Sequence, residues 1–246
     1  MEHFWDTEET IPAGLGFSHF GGVHLAWLGV AAVLALVCIP GYRAMGRRGR
    51  GIFRKTVAGL LVADELFKLV PMLILGRFLP DYLPLHLCSI NIFLVAWHAW
   101  RPGRLVGNFL YTVCIPGALA ALLFPSWTDM PPANFMHIHS FTVHIFLALY
   151  PLVLTAGGDI RPELRVLPRA LGLLVALAAV AFGCNLILDT NFMFLMYAEE
   201  GNPLYWFRQN WWSHLLGFPV ILAGIVAVLY GPMALFRRLK KGNRVG

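Results

Sequence analysis

Seven long apolar stretches constrain the fold of this 246-residue chain more than any other feature of its sequence. A helix needs about 20 predominantly apolar residues to cross the hydrocarbon core of a bilayer. Hydrophobic residues make up 58% of the chain and charged residues only 13%, whereas a soluble domain carries about 25% charged residues. We therefore predict an all-α, polytopic membrane bundle of seven transmembrane helices. The predicted spans lie near residues 20–42, 52–75, 83–100, 105–124, 135–156, 168–188 and 212–236.

The connections between the predicted spans are short, and they are marked by Pro, Gly or charged residues. None is long enough to separate two folding units, so residues 1–246 are expected to form a single transmembrane domain. The four cysteines lie singly within apolar stretches and show no C-x-x-C spacing. The sequence therefore indicates neither a zinc site nor a framework of disulfides.

Lysine and arginine are concentrated on one side of the predicted bundle. Sixteen of the 19 basic residues fall between spans one and two, three and four, or five and six, or in the carboxyl-terminal tail. Because cytoplasmic loops of membrane proteins are enriched in these residues, we predict an outside amino terminus and a cytoplasmic carboxyl terminus. This topology explains the net charge of +6, and no nucleic-acid partner is expected.

The most unusual stretch is 83–91, where an imidazole, a thiol, a hydroxyl and a carboxamide enter an apolar span. Polar groups in hydrocarbon cost free energy unless they have partners or a function. Cys88 and Asn91 share a helix face, whereas His86 is displaced by about 200° from Cys88. As a nucleophile Cys88 would therefore need a base from another helix. The alternative is a small thiol packed in the core.

Span five carries His137, Ser140 and His144 at positions i, i+3 and i+7, so that they line one stripe, while His139 faces elsewhere. His144 is the deepest of the three and the best candidate for a base. The alternative is that these rings bond backbone carbonyls or water. No helical pair of histidines at i, i+4 is present and carboxylates are few, so no metal site is predicted.

Span two contains Asp64, Glu65 and Lys68. Asp64 and Lys68 are separated by four residues, so we predict an intrahelical ion pair that leaves Glu65 to find a partner on another helix. Charged groups inside a membrane indicate a functional site, a relay or a buried brace. An organising role and direct chemistry both remain open for this trio.

Eight of the nine histidines fall on the predicted outer side, and only His98 lies in the opposite half. His3 is discounted as part of a free amino-terminal tail, but the others predict one outward-opening polar cavity. The aromatic loop after span six, which includes Asn191, lies at the same depth. It is interpreted first as an interfacial belt and second as a re-entrant lid over a lipid-sized cavity.

Three segments resemble the YwaF-like family of bacterial integral membrane proteins: Leu-Pro-Leu-His-Leu-Cys at 83–88, His144 seven residues before Pro151, and Asn-Phe-Met-Phe-Leu at 191–195. The resemblance extends from about span two to span seven, and the cysteine motif is its most specific part. Eukaryotic relatives of that family are multi-pass, cysteine-dependent phospholipid acyltransferases. The resemblance implies that Cys88 carries the acyl group and that His144 serves as the base. It also implies a multi-pass protein of the bacterial plasma membrane.

Two positions depart from the pattern of that family. Phe192 stands where tyrosine is usual, which removes a hydroxyl that could position a headgroup. Ser89 follows the cysteine where an acidic residue is frequent, which removes a nearby carboxylate.

We predict a membrane-embedded acyltransferase or acyl hydrolase that acts on phospholipids or lysophospholipids through Cys88 and His144, without a cofactor. The residues expected to bind substrate or to organise the site are His86, Asn91, His139, Glu65, Lys68 and Asn191. The alternative is a transporter or receptor-like binding protein with an outward-facing polar cavity, in which the charges of span two bind or couple the ligand. The sequence leaves the oligomeric state open.

Overall fold

The computed structural model describes residues 2–198 and 202–242, and it describes 233–242 by backbone alone. Within these residues all regular structure is helical, as predicted, and no strand is present. The α-helices are α1 Gly22–Ala44, α2 Arg47–Ile74, α3 Leu87–Trp100, α4 Arg104–Phe109, α5 Ile115–Leu123, α6 Phe135–Ala156, α7 Leu167–Leu188, α8 Pro203–Asn210 and α9 Gly217–Gly242. The chain divides into two compact units, Met1–Met196 and Tyr197–Gly246.

Six helical segments are long and apolar enough to cross a membrane, and they match six of the seven predicted spans. They are Gly22–Ala44, Pro80–Trp100, Arg104–Leu123, Phe135–Ala156, Leu167–Leu188 and His214–Pro232. The remaining predicted span, 52–75, lies within the 28-residue helix α2. This helix is outside the apolar set because Asp64, Glu65 and Lys68 interrupt it. Seven crossings and the sidedness of the termini stay predictions.

Helix α6 is the centre of the first unit. It packs against α1, α2, α3 and α5, and 61% of its apolar window is buried, against 6% for α1 and 11% for α7. The exposed apolar side chains of α1 and α7 are suited to lipid contact, since a helix that faces lipid does not need a protein partner for its apolar surface. Polar residues on α6 are therefore placed inside the protein.

The fourth span is not one regular helix. A π-helical turn, Leu110–Cys114, joins α4 to α5. Single π turns of this kind occur frequently at functional sites because they rotate the side chains that follow them. Here the turn directs the thiol of Cys114 toward α6, where Sγ donates to the carbonyl oxygen of Leu147 at 3.3 Å.

The amino-terminal segment, residues 2–8, is held by hydrogen bonds and packing within the first unit. The prediction of a free tail around His3 is therefore wrong. The Nδ2 group of Asn134 donates to the carbonyl oxygens of His3 and Asp6, both at 2.9 Å. Trp5 packs on Phe135 with ring centroids 5.3 Å apart. Asp6 also pairs with Arg77 at 3.3 Å. The hydrogen bond with His3, and the nearby guanidinium, lower the pKa of Asp6 from its usual value.

Replacing Asn134 by alanine is expected to release this segment and to fray the start of α6. The Oδ1 atom of Asn134 caps that helix by accepting from Met136 N at 2.8 Å, and loss of a cap costs about 0.5–2 kcal/mol. Hydrogen exchange should show faster exchange at residues 2–8 and in the first turn of α6. Protection equal to that of the unmodified protein in both segments would contradict this account.

The second unit contains α8 and α9. The side chain of Asn202 caps α8 by accepting from Leu204 N at 2.9 Å, and Ser213 caps the short turn before α9 by accepting from Leu215 N at 3.2 Å. A Cβ on Gly217 would lie 2.7 Å from the ring of Phe207, so only glycine fits between α8 and the start of α9. Of the predicted basic tail, Arg244 lies outside the described residues.

Candidate functional site

The thiol of Cys88 lies in the first turn of α3. The helix begins at Leu87, and His86 is its N-cap residue with extended backbone angles of φ −65° and ψ 151°. The helix therefore begins later than the predicted span near 83–100, because the chain at 83–86 is not helical. Cys88 is partly buried against the core. At this position the helix dipole favours a negative charge such as a thiolate.

The two motif segments at 83–88 and 191–195 lie side by side. Phe192 is fully buried, and the ring of His86 packs against its edge with centroids 5.2 Å apart. Phe192 is held from α7, because Asn185 Oδ1 accepts from its backbone N–H at 2.7 Å and Asn185 Nδ2 donates to its carbonyl at 3.1 Å. The second segment therefore supports the start of α3.

The backbone around this second segment is strained. Asp189, Met193 and Phe194 all have positive φ values, of 53°, 60° and 56°. Bulky residues with side chains rarely adopt this region, and such strain is found most often at functional sites. Asn191 is buried between these positions, and its Oδ1 atom accepts from Met196 N at 3.0 Å. In this structure Asn191 shapes the loop.

A cluster of charged side chains lies on the buried face of α2, but its pairing differs from the prediction. Lys68 Nζ lies 2.7 Å from Glu65 Oε1, and both side chains are buried. The predicted pair between Asp64 and Lys68 is wrong, because Asp64 faces α6 instead. There the Nδ1 atom of His139 lies 3.0 Å from Asp64 Oδ1, and the hydroxyl of Thr142 donates to Asp64 Oδ2.

His139 connects the two carboxylates of α2. Its Nε2 atom lies 3.7 Å from Glu65 Oε2, an oxygen that is buried without a hydrogen bond among the described residues. As predicted, His139 faces away from the stripe that contains His144. Thr142 was missed by the sequence reasoning, although its spacing of three residues from His139 places both on one helix face.

Cys88 belongs to the surroundings of this charged cluster. The charges that act on its thiol are those of Lys68 and Glu65, and the same two groups act on the ring of His86. Cys114, which the sequence reasoning did not include in the site, belongs to the core cluster against which Cys88 packs. The structure thus brings residues of α2, the start of α3 and the π turn together around one thiol.

His144 has the protonation pattern of a base, although its surroundings differ from those of Cys88. Its Nδ1 atom lies 2.6 Å from the carbonyl oxygen of Ser140. A carbonyl only accepts, so Nδ1 carries the proton and Nε2 keeps its lone pair. The ring stacks on Trp127 with centroids 5.2 Å apart. The contacts of the described residues do not include one between this ring and the sulfur of Cys88.

Two histidines of the predicted outer cavity have structural partners on both ring nitrogens. His24 accepts from Phe20 N at 2.8 Å and bonds the carbonyl oxygen of Leu122 at 2.7 Å. His137 accepts from Trp27 Nε1 at 2.9 Å and bonds the carbonyl oxygen of Met130 at 3.2 Å. Both rings therefore join helices and loops. Asn91 is buried, and its Oδ1 atom has no hydrogen bond among the described residues.

These observations define a class of protein: a multi-pass, all-α membrane protein with a buried charged cluster on α2 and a thiol at the start of α3, the helix that packs against it. The chain belongs to the TMEM164 family, whose family model matches residues 17–230. No curated protein and no solved structure matches it. The family match supports a multi-pass membrane protein. Within the described residues no group of three His, Cys, Asp or Glu side chains could hold a metal ion.

Proposed function

We propose that this protein is a membrane-embedded acyltransferase or acyl hydrolase that acts on phospholipid acyl chains through Cys88 and His144. The observation that carries the proposal is the placement of the Cys88 thiol at the N-terminus of α3, a helix that packs against α2, where the ammonium of Lys68 acts electrostatically on the thiol. Burial opposes ionisation of a thiol, whereas a nearby cation and a helix N-terminus favour the thiolate that attacks an ester. A packed structural thiol has no need of either group.

The base in this proposal is the Nε2 atom of His144. Helix α3 packs against α6, and Cys88 packs against the core cluster that contains Cys114 and Leu147. The thiol of Cys114 bonds the carbonyl of Leu147, one turn along α6 from His144. This chain of contacts brings Cys88 to the level of His144. The proposal requires the sulfur and Nε2 to approach within hydrogen-bond distance when substrate is bound.

The reaction proceeds in two halves. Nε2 of His144 takes the thiol proton as the sulfur of Cys88 attacks the ester carbonyl of the lipid. The carbon–oxygen bond then breaks, the lysolipid leaves with the proton from His144, and the acyl group remains as a thioester on Cys88. In the second half a lysolipid hydroxyl or water gives its proton to His144 and attacks the thioester, which releases the thiolate for reprotonation. The amide of Asn91 is a candidate donor to the developing oxyanion.

The remaining predicted residues have supporting roles in this proposal. Lys68 and Glu65 set the charge beside the thiol, His139 holds Glu65 and Asp64 toward α6, and His86 fixes the start of α3. Membrane phospholipids or lysophospholipids of the outer leaflet are the proposed partners. In this proposal the site lies on the outer side of a plasma membrane, because the basic connections favour a cytoplasmic location for the opposite end of the bundle.

The proposal is tested by capture of the thioester. Purified full-length protein in nanodiscs is incubated with a phospholipid that carries an alkyne-tagged acyl chain, and covalent label is measured before and after neutral hydroxylamine, which cleaves thioesters. We expect hydroxylamine-sensitive label on Cys88, and its complete loss in Cys88→Ala. Cys38→Ala and Cys184→Ala are the matched controls, because these thiols are also partly buried. Undiminished label and turnover in Cys88→Ala would eliminate the mechanism.

A transport function is the second candidate, and the buried charges of α2 favour it. Glu65 and Lys68 form a pair that titration or ligand binding could open, and His139 lies beside both carboxylates. Proton-gradient-dependent uptake into proteoliposomes, lost in Glu65→Gln and retained in Cys88→Ala, would favour transport over acyl chemistry.

A further inference from the structure

A polar cavity lies at the opposite end of α3 from Cys88. It has a volume of about 280 Å³ and is formed by the last turn of α3, the start of α4 and the α6–α7 connection. Ten residues of helix, or about 15 Å, separate His98 in this cavity from Cys88, so the cavity is distinct from the thiol site. Its volume is just below the roughly 300–1,000 Å³ of drug-sized sites, which suits a small polar group.

One wall of the cavity is a buried histidine with an available donor. His98 is only 2% exposed, and its Nδ1 atom lies 2.9 Å from the hydroxyl of the fully buried Tyr150. A buried hydroxyl must donate its proton, and Nδ1 is its only acceptor among the described contacts. The proton of the neutral ring is therefore on Nε2. The described residues provide Nε2 with no hydrogen-bond partner.

Gly107 keeps this donor accessible. Gly107 and His98 both line the cavity, and a Cβ on Gly107 would lie 3.4 Å from Nε2 of His98. Asn108 holds the wall in place, since its Nδ2 donates to Arg104 O at 2.8 Å and its Oδ1 accepts from Glu163 N at 2.7 Å. Nε2 of His98 is not among the fully buried atoms of the described residues that lack a hydrogen-bond partner, so its N–H group is reached from the cavity and can donate to a ligand there.

The charges around the cavity favour an anion. Its carboxylates already have partners: Asp159 accepts from Arg50 at 3.1 Å and from the hydroxyl of Tyr42, and Glu163 lies 4.0 Å from Arg104. Arg54 adds a further guanidinium 3.8 Å from Asp159.

Arg161 provides the cation that remains available. It lines the cavity, and among the described contacts only its Nε–H group donates a hydrogen bond, to the carbonyl oxygen of Gly158 at 3.2 Å. Its terminal amino groups have no partner among the described contacts. Since four guanidinium groups face two carboxylates here, the local charge is positive. Arginine forks of this kind match phosphate oxygens.

We infer that this cavity binds a phosphate-ester group, with Arg161 pairing with its oxygens and Nε2–H of His98 donating to one of them. The site lies at the end of the bundle that carries the basic connections, where both a lipid headgroup and a soluble phosphate compound could enter. The inference does not depend on the proposed acyl chemistry, because no residue is shared between the two sites.

The test measures the melting temperature of the full-length protein in phosphatidylcholine nanodiscs. One arm adds phosphatidic acid to the nanodiscs, and the other adds inorganic phosphate to the buffer. We expect the probe to raise the melting temperature of the unmodified protein. In Arg161→Ala the apparent affinity for the probe should fall by about tenfold or more, as for loss of a charge-assisted hydrogen bond. Arg165→Ala is the matched control, because it removes the same charge from an exposed position of the same connection outside the cavity.

Gly107→Ala separates binding from folding. Alanine improves helix propensity, so this variant should melt no lower than the unmodified protein, yet its methyl group covers Nε2 of His98 and should weaken binding. Stabilisation by phosphatidic acid alone would assign a lipid headgroup, and stabilisation by inorganic phosphate would assign a soluble ligand. The inference is overturned if neither probe stabilises the protein, if Arg161→Ala and Arg165→Ala behave alike, or if Gly107→Ala binds normally.

Discussion

Replacing His144 by glutamine is expected to lower the turnover of a fluorescent phospholipid by about 100- to 10,000-fold, the range over which a positioned general base contributes. Glutamine can still donate to the carbonyl oxygen of Ser140, as Nδ1 does at 2.6 Å, and it can lie on Trp127. The fold should therefore be retained, while the lone pair of Nε2 is lost. Turnover is measured on purified protein in nanodiscs, together with its melting temperature.

Two further variants test whether a loss of turnover is specific to His144. His19→Gln removes an exposed imidazole at the predicted outer surface, and it should leave turnover unchanged. His139→Gln tests the other histidine of α6 near the charged cluster, whose Nδ1 atom bonds Asp64 Oδ1 at 3.0 Å and whose Nε2 atom lies 3.7 Å from Glu65 Oε2. If His139→Gln loses turnover at an unchanged melting temperature while His144→Gln keeps it, the assignment of the base to His144 is wrong.

The helices were predictable from the sequence because the bilayer imposes a length on each apolar stretch. The start of α3 was not, since Pro84 is acceptable both in a first turn and in the extended chain before it. The chain at 83–86 is instead packed against the segment around Phe192. That contact joins residues more than a hundred positions apart, and no local pattern indicates it.

The sequence predicted most residues of the candidate site, but it did not predict which of their side chains pair with each other. Within a helix, Lys68 can reach a carboxylate three or four residues before it, and spacing does not decide between Glu65 and Asp64. Lys68 pairs with Glu65 because Asp64 is already bonded to His139 and Thr142 of α6. The sidedness of the histidines likewise suggested one cavity, whereas His24 and His137 bond carbonyls and indole across helices.

The buried pair of Lys68 and Glu65 leads to the largest stability effect we expect. Lys68→Met should lower the free energy of unfolding by about 3–5 kcal/mol, the cost of leaving one member of a buried ion pair uncompensated. Among the described residues Glu65 forms an ion pair with no other lysine or arginine, and its Oε2 atom lies 3.7 Å from Nε2 of His139. Denaturant unfolding of the purified protein, followed by tryptophan fluorescence, measures the loss.

The double variant Glu65→Leu with Lys68→Met separates stability from function. Replacement of a buried pair by apolar residues of similar volume is often neutral or stabilising, so the double variant should recover most of the lost stability. Lys55→Met is the control, because Lys55 is exposed on the same helix and lies over the ring of Trp100 at 5.9 Å, a contact that costs at most about 1 kcal/mol to lose. If the pair organises the thiol site, the double variant is stable but inactive, because the ammonium that acts electrostatically on Cys88 has been removed. Full turnover in the stable double variant would show that the pair only braces α2, and it would remove Lys68 from the proposed mechanism.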